Sequence, residues 1–180
     1  TELLYDPQAG LREATGEWIE IYNPTDSLFN LNACELADSA SASPLSGLFI
    51  ESGEYLVFGK SDDLAANGGI DVDGLFDFNL TNSGDVISLR CGGAVVDVVN
   101  YGDESFPDAS AASISLSSDL IDAALNDGGA AWCEAVDVYL ADPEHRGTPG
   151  AANPVCDNEA VLCDPNPCDE APAPRCDGNI

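Results

Sequence analysis

Apolar and polar residues alternate along this chain in short runs, and turn residues separate one run from the next. "EWIEIYN" (17–23) is dense in β-branched and aromatic residues and stops at Asn23-Pro24, a turn signal. "FNLNACELA" (29–37) sets Phe29, Leu31 and Ala33 on alternate positions, the period of a half-buried strand. "EYLVFGK" (54–60) is a strongly apolar strand entered through Ser52-Gly53. "LFDFNL" (75–80) and "DVISLRC" (85–91) alternate again, with "TNSG" between them. "RCGGAVVDVVNYG" predicts a tight hairpin, because Gly92-Gly93 supplies positive φ between two strands. "TELLY" (1–5) and "ASISL" (112–116) are shorter strand candidates.

Helical periodicity is nearly missing, and "DLIDAAL" (119–125) is its best, marginal, candidate. Seven or more short strands with closely spaced turn signals describe a β-sandwich. "SDDLAANGGIDVDG" (61–74) reads as a polar loop rich in Gly and Asp. From "GTPGAANP" onward the chain turns to Pro, Asp, Asn and Cys. The expected division is therefore a sandwich over 1–153 and a Cys/Pro-rich tail over 154–180. The tail has too few apolar residues for a core and needs disulfides to hold a shape.

Composition narrows the function. The 180 residues carry 33 Asp and Glu against 5 Lys and Arg, a formal charge of −28. Such a surface repels phosphate backbones, so no nucleic-acid partner is expected. It favours cations and basic partners instead. No apolar run is long enough to span a bilayer, so membrane insertion is not expected either. Seven cysteines accompany one His and one Lys, and four of the cysteines fall after residue 155. That usage points to an exported protein in an oxidising, extracellular or cell-surface setting. An all-Cys zinc cluster is the rival, weakened by the Pro-rich flanks and the absence of CxxC spacing. The start at Thr1 and the odd cysteine count read as a processed product or a piece of a longer chain.

"LLYDP", "EWIEIYNPTD", "LNACEL", "GEYLVFG", "LTNSGDVISL", "VVDVVNYG", "AAWC" and "GTPGAAN" follow one another in an order that resembles the lamin tail domain. The resemblance runs from residue 1 to about 153 and implies an immunoglobulin-like β-sandwich. It further implies a module of attachment or protein interaction, often set beside secreted nucleases, phosphatases or adhesins. DNA binding, which some lamin tails perform through basic surfaces, is not carried over to so acidic a chain. The segment "CDPNPCDEAPAPRCDGN" is similar to Cys/Pro-rich repeats of myxobacterial cell-surface proteins.

Glu17, Glu20, Asp85 and Asp97 are the nearest thing to a catalytic set, since paired carboxylates can do acid–base work. Their places within the fold's own motifs favour a structural reading, with Glu20 and Asp85 accepting from backbone and Glu17 on the surface. On a regular strand Trp18, Glu20 and Tyr22 share one face and Glu17 lies on the other, so the two glutamates do not grip one atom. Glu20 is expected to bond backbone or a hydroxyl. His145, in "DPEHRGTPG", reads as a solvated loop residue, and no nucleophile elbow accompanies it.

Asp71 and Asp73, at i and i+2 before Gly74, are candidate calcium ligands; "NDGG" (126–129) and "CDPN" (163–166) are further oxygen clusters. Ordinary turn chemistry is the competing account, and no cofactor is required. Cys34 with Cys91 is the first expected disulfide, and Cys133 with Cys156 the second, leaving Cys163, Cys168 and Cys176 unassigned. The expected function is a non-catalytic extracellular interaction or attachment module. Its alternatives are a calcium-dependent adhesion module and an accessory domain of a secreted nuclease or phosphatase. Strand edges or tail cysteines could join copies, so the oligomeric state is open.

Overall fold

The structure, a computed structural model, describes residues 1–8, 10–138 and 145–157. Cys163, Cys168, Cys176, "CDPN" and most of the 154–180 tail lie outside the described residues. In chain order come β1 (Glu2–Leu4), a single helical turn α1 (Glu13–Gly16), β2 (Trp18–Tyr22), β3 (Phe29–Asn30) and β4 (Cys34–Ala37). Then follow β5 (Ala42–Pro44), β6 (Phe49–Ile50), β7 (Tyr55–Gly59) and β8 (Gly74–Leu75). The last four are β9 (Val86–Cys91), β10 (Ala94–Asn100), β11 (Ile114–Leu116) and β12 (Trp132–Glu134).

One sheet has six strands in the order β12-β11-β1-β2-β7-β8, and the second has four in the order β10-β9-β4-β5. A small pair, β3-β6, stands beside them. Strand periodicity decides what lies between the sheets. Leu3, Ile19, Leu56, Phe58, Ile114 and Leu116 face inward from the larger sheet, against Cys34, Leu36 and Ile87 of the smaller. This is an immunoglobulin-like β-sandwich. Because β11 pairs with β1 and β12 with β11, the sandwich continues past the β9–β10 hairpin.

The other face of the larger sheet is also covered. Leu4, Trp18 and Val57 form a second, smaller core with Ile70 and Val72 of the 61–73 loop. Asn67 shapes that loop: its amide donates to the carbonyls of Ser61 and Ile70 and accepts from the N–H of Gly69 and Ile70. The Trp18 face is thus buried, and Glu20 shares that burial.

Three local expectations change. "FNLNACELA" is not one strand, because the Asn30 side chain accepts from Asn32 N–H and turns the chain between β3 and β4. In "LFDFNL" only Leu75 joins a ladder. Residues 76–80 keep the alternation, with Phe76, Phe78 and Leu80 buried; Phe76 N–H still donates to Gly59 O of β7, and beyond it the partners come from elsewhere. Asp77 N–H donates to Ser43 Oγ, and Leu80 N–H to Glu17 Oε2. "DLIDAAL" forms turns rather than a helix. There the Asp122 side chain accepts from Ala124 N–H, the local competition that makes Asp a poor helix interior residue.

Candidate functional site

The two carboxylates that first suggested chemistry have different partners. Glu20 in β2 stands directly opposite Glu2 in β1, and both are fully buried. Like charges facing across a ladder repel, and burial disfavours the ionised form of each. Burial pushes the Glu20 carboxyl up to about 7, with Glu2 adding to the rise. Burial likewise raises Glu2, against the pull of its hydrogen-bond donors.

The segment "GTPGAAN" (147–153) closes over this pair and supplies much of what the carboxylates need. Thr148 N–H lies 3.0 and 3.1 Å from the two Glu2 oxygens, and Gly150 N–H donates to Glu20 Oε2 at 2.8 Å. Ser113 and Ser115 hydroxyls donate to Glu2 Oε1, and the Thr1 hydroxyl to Glu20 Oε1 at 2.6 Å. Asn153 completes the strap by donating to the carbonyls of Thr1 and Leu116. Glu20 therefore bonds backbone and a hydroxyl, and serves as a clasp for the strap.

Glu17 corrects the expectation of a surface residue: it is 1 % exposed. Its Oε2 accepts from Leu80 N–H at 2.9 Å, standing in for a neighbouring strand along the irregular 76–80 segment. Burial pushes its carboxyl up to about 7, while the bond from Leu80 and the charge of Lys60 pull the other way. Lys60 Nζ itself donates to Phe78 O and to Asn79 Oδ1.

His145 corrects a second expectation, being buried at 0 % exposure, with Nε2 accepting from Gln8 N–H at 3.1 Å. Asp85 accepts from Val86 N–H and the Thr81 hydroxyl. Asp97 accepts from Val98 N–H and from Asn126 Nδ2. The four acids thus accept from separate donors, although Glu17 Oε1 is buried with no hydrogen-bond partner.

Of the calcium candidates, Asp71 and Asp73 are both exposed, and Asp73 Oδ2 accepts from Val57 N–H at 2.8 Å. Among the described residues no group of three or more His, Cys, Asp or Glu side chains could hold a metal ion. Cys34 and Cys91 stand opposite each other on β4 and β9 and form a disulfide spanning 57 residues. Cys133 of β12 is bonded to Cys156, which fastens the end of the strap to the larger sheet.

Two surface features remained invisible in the sequence. β10 is an outer edge of the smaller sheet, and Val95, Val96 and Val98 are exposed on it. Its pairing with β9 shifts between Val95 and Asp97, a β-bulge at Val96. Beneath this edge a cavity of about 480 Å³ runs between the sheets. Ile19, Ile21 and Trp132 wall it on one side and Leu36, Ile87 and Leu89 on the other, while Val96, Asp97 and Asn126 lie along the same lining. The Gly92-Gly93 pair marks the turn before β10, but no sequence signal marks the bulge.

The two packed sheets define an immunoglobulin-like domain. Comparison with protein families gives the same result: the lamin tail domain matches residues 1–103. The chain belongs to the lamin tail domain family. No curated protein and no solved structure matched it. No helix among the described residues is long and apolar enough to cross a membrane.

Proposed function

We propose that this chain is a non-catalytic interaction or attachment module of an exported protein, taking its partner by strand addition along β10. The observation that supports this reading is β10 itself. At seven residues it is the longest strand described, and it stands at a sheet edge with three valines exposed. Edge strands present unpaired N–H and C=O groups, and proteins guard them with Lys, Pro, short length or a β-bulge; β10 carries the bulge at Val96, after which residues 97–100 run in regular register with β9. β10 has neither Lys nor Pro, whereas the opposite edge, β5, has three residues and ends in Pro44. An extended segment added here gains affinity from main-chain bonds and selectivity from alternate side chains. A formal charge of −28 selects a basic segment. The two disulfides fit an oxidising compartment.

The test is a labelled peptide of about eight alternating Val and Lys residues. Its control is the same peptide with alternate residues N-methylated, which keeps the charge but removes half the N–H donors. Expected is at least tenfold tighter binding of the unmethylated peptide, and loss of that preference in the double variant Val96→Lys, Val98→Lys. Equal binding of the two peptides overturns the proposal, because charge alone would then explain it.

A further inference from the structure

Lys60 is the one lysine of the chain, and its ammonium group is held against an asparagine side chain. The β2–β7 ladder ends at the pair Trp18 and Gly59, and Lys60 N–H donates to Glu17 O one rung further on. Glu17 and Lys60 therefore face each other across the ladder, on the inward side shared with Ile19 and Phe58. Residues 78–80 run beside this end. Phe78 O and Asn79 Oδ1 accept from Lys60 Nζ, the second at 2.9 Å, while Leu80 N–H donates to Glu17 Oε2 at 2.9 Å. A lysine, a carboxyl group and an asparagine amide thus meet at one point.

The arrangement suits a reaction among these three groups. An ammonium group only donates, so the Asn79 amide turns its oxygen to Lys60 and its nitrogen away. Asn79 is exposed, which gives a departing nitrogen an open path to water. On the buried side, Glu17 is 1 % exposed and its Oε1 has no hydrogen-bond partner. Burial pushes that carboxyl up to about 7, with the Leu80 bond and the Lys60 charge opposing the rise and Glu13 adding to it. Such a group takes and returns a proton near neutral pH. Lys60 Nζ is further fixed by the Phe76 ring, whose centroid lies 5.6 Å away. Groups held side by side in this way react as if highly concentrated.

We propose that Lys60 and Asn79 join in an intramolecular amide bond, with Glu17 carrying the proton. This goes beyond the edge-strand reading and does not depend on it. Glu17 Oε1 takes a proton from the Lys60 ammonium, and the free amine attacks Asn79 Cγ, the carbon one bond behind Oδ1. The Nζ–Cγ bond forms and the Cγ–Nδ2 bond breaks. Glu17 returns its proton to Nδ2, which leaves as ammonia, and the surplus proton on Nζ passes to that ammonia. Lysine ammonium and asparagine amide thus give a secondary amide and ammonium, without an oxidant or co-reactant. The link closes a ring across 19 positions and ties the 76–80 segment, which has little ladder of its own, to the end of β7.

The test follows the intact mass of the full chain, with its disulfides formed, at purification and during incubation at neutral pH. Expected is a deficit of about 17 Da, one ammonia, in the folded chain and none in chain held in urea. Protease digestion is expected to release a branched peptide joined through Lys60 and Asn79, and the sole lysine to stop reacting with an acylating reagent. Lys60→Arg and Asn79→Ala are expected to keep the unlinked mass. Glu17→Gln, whose amide oxygen can still accept from Leu80 N–H, is expected to fold and yet to link at least about a hundredfold more slowly. A folded wild-type chain that keeps its full mass and a reactive Lys60 overturns the proposal, and that result needs no variant. So does an ammonia loss that persists in Asn79→Ala, which marks a succinimide elsewhere, or linking at the wild-type rate in Glu17→Gln.

Discussion

Replacing Glu20 by Gln tests whether the buried carboxylate pair is a structural clasp that the fold holds at a cost. In the wild-type chain burial moves the Glu20 carboxyl from an ordinary 4.5 to about 7. Below the lower value both folded and unfolded chains keep the proton, and above the upper value both have lost it. Between them the unfolded chain releases a proton that the folded chain retains, so stability falls as pH rises from 4.5 to about 7. At 1.36 kcal/mol per pKa unit the loss is about 3 kcal/mol from this group, with Glu2 acting in the same direction. Glutamine keeps the shape: its amide oxygen can accept from Gly150 N–H, and its amide nitrogen can donate to the Thr1 hydroxyl. The charge and its repulsion of Glu2 are gone. Urea unfolding at about pH 5 and about pH 8, in about 0.5 M NaCl to screen the surface charge, measures the effect. Expected is a variant about 1 to 3 kcal/mol more stable than wild type at the higher pH, with a shallower pH dependence between the two. A variant with the wild-type slope, or one less stable at the higher pH, refutes the reasoning.

Other perturbations follow from single contacts. Glu17→Ala strips the buried Leu80 N–H of its acceptor, and is expected to cost about 1 to 3 kcal/mol in urea unfolding. Gly84 has φ +112°, and a Cβ there would sit 2.0 Å from Gly102 Cα. Gly84→Ala is therefore expected to lower the melting temperature by more than an exposed Gly92→Ala at the hairpin, which pays only for its positive φ. Removing the Cys133–Cys156 bridge as a double Ser variant opens a 23-residue loop and is expected to cost about 3 kcal/mol on the chain-entropy account, read by the urea midpoint.

The sandwich was legible because its long strands carry their own pattern. β2, β7 and the β9–β10 hairpin are apolar, alternating and bounded by turn residues, and both glycines of that hairpin have positive φ. Glu17 was not legible, since the reason for its burial is a backbone N–H 63 residues away. His145 was misread for a similar reason: its neighbours in sequence are charged, but its partner is Gln8, 137 residues back. Segment 76–80 shows the limit from the other side. Its alternation correctly marks which residues are buried, yet period alone does not say whether a ladder or a few side chains satisfy the backbone. "GTPGAAN" was recognisable as a motif of the family, whereas its work, donating to two buried glutamates, needed the register that places Glu2 opposite Glu20.

Backbone amide exchange resolved along residues 94–100, with and without the unmethylated Val-Lys peptide, tests the interaction reading most directly. The account expects new protection confined to β10, absent with the N-methylated control. Protection spread over the acidic surface, or gained elsewhere while β10 exchanges unchanged, would contradict it.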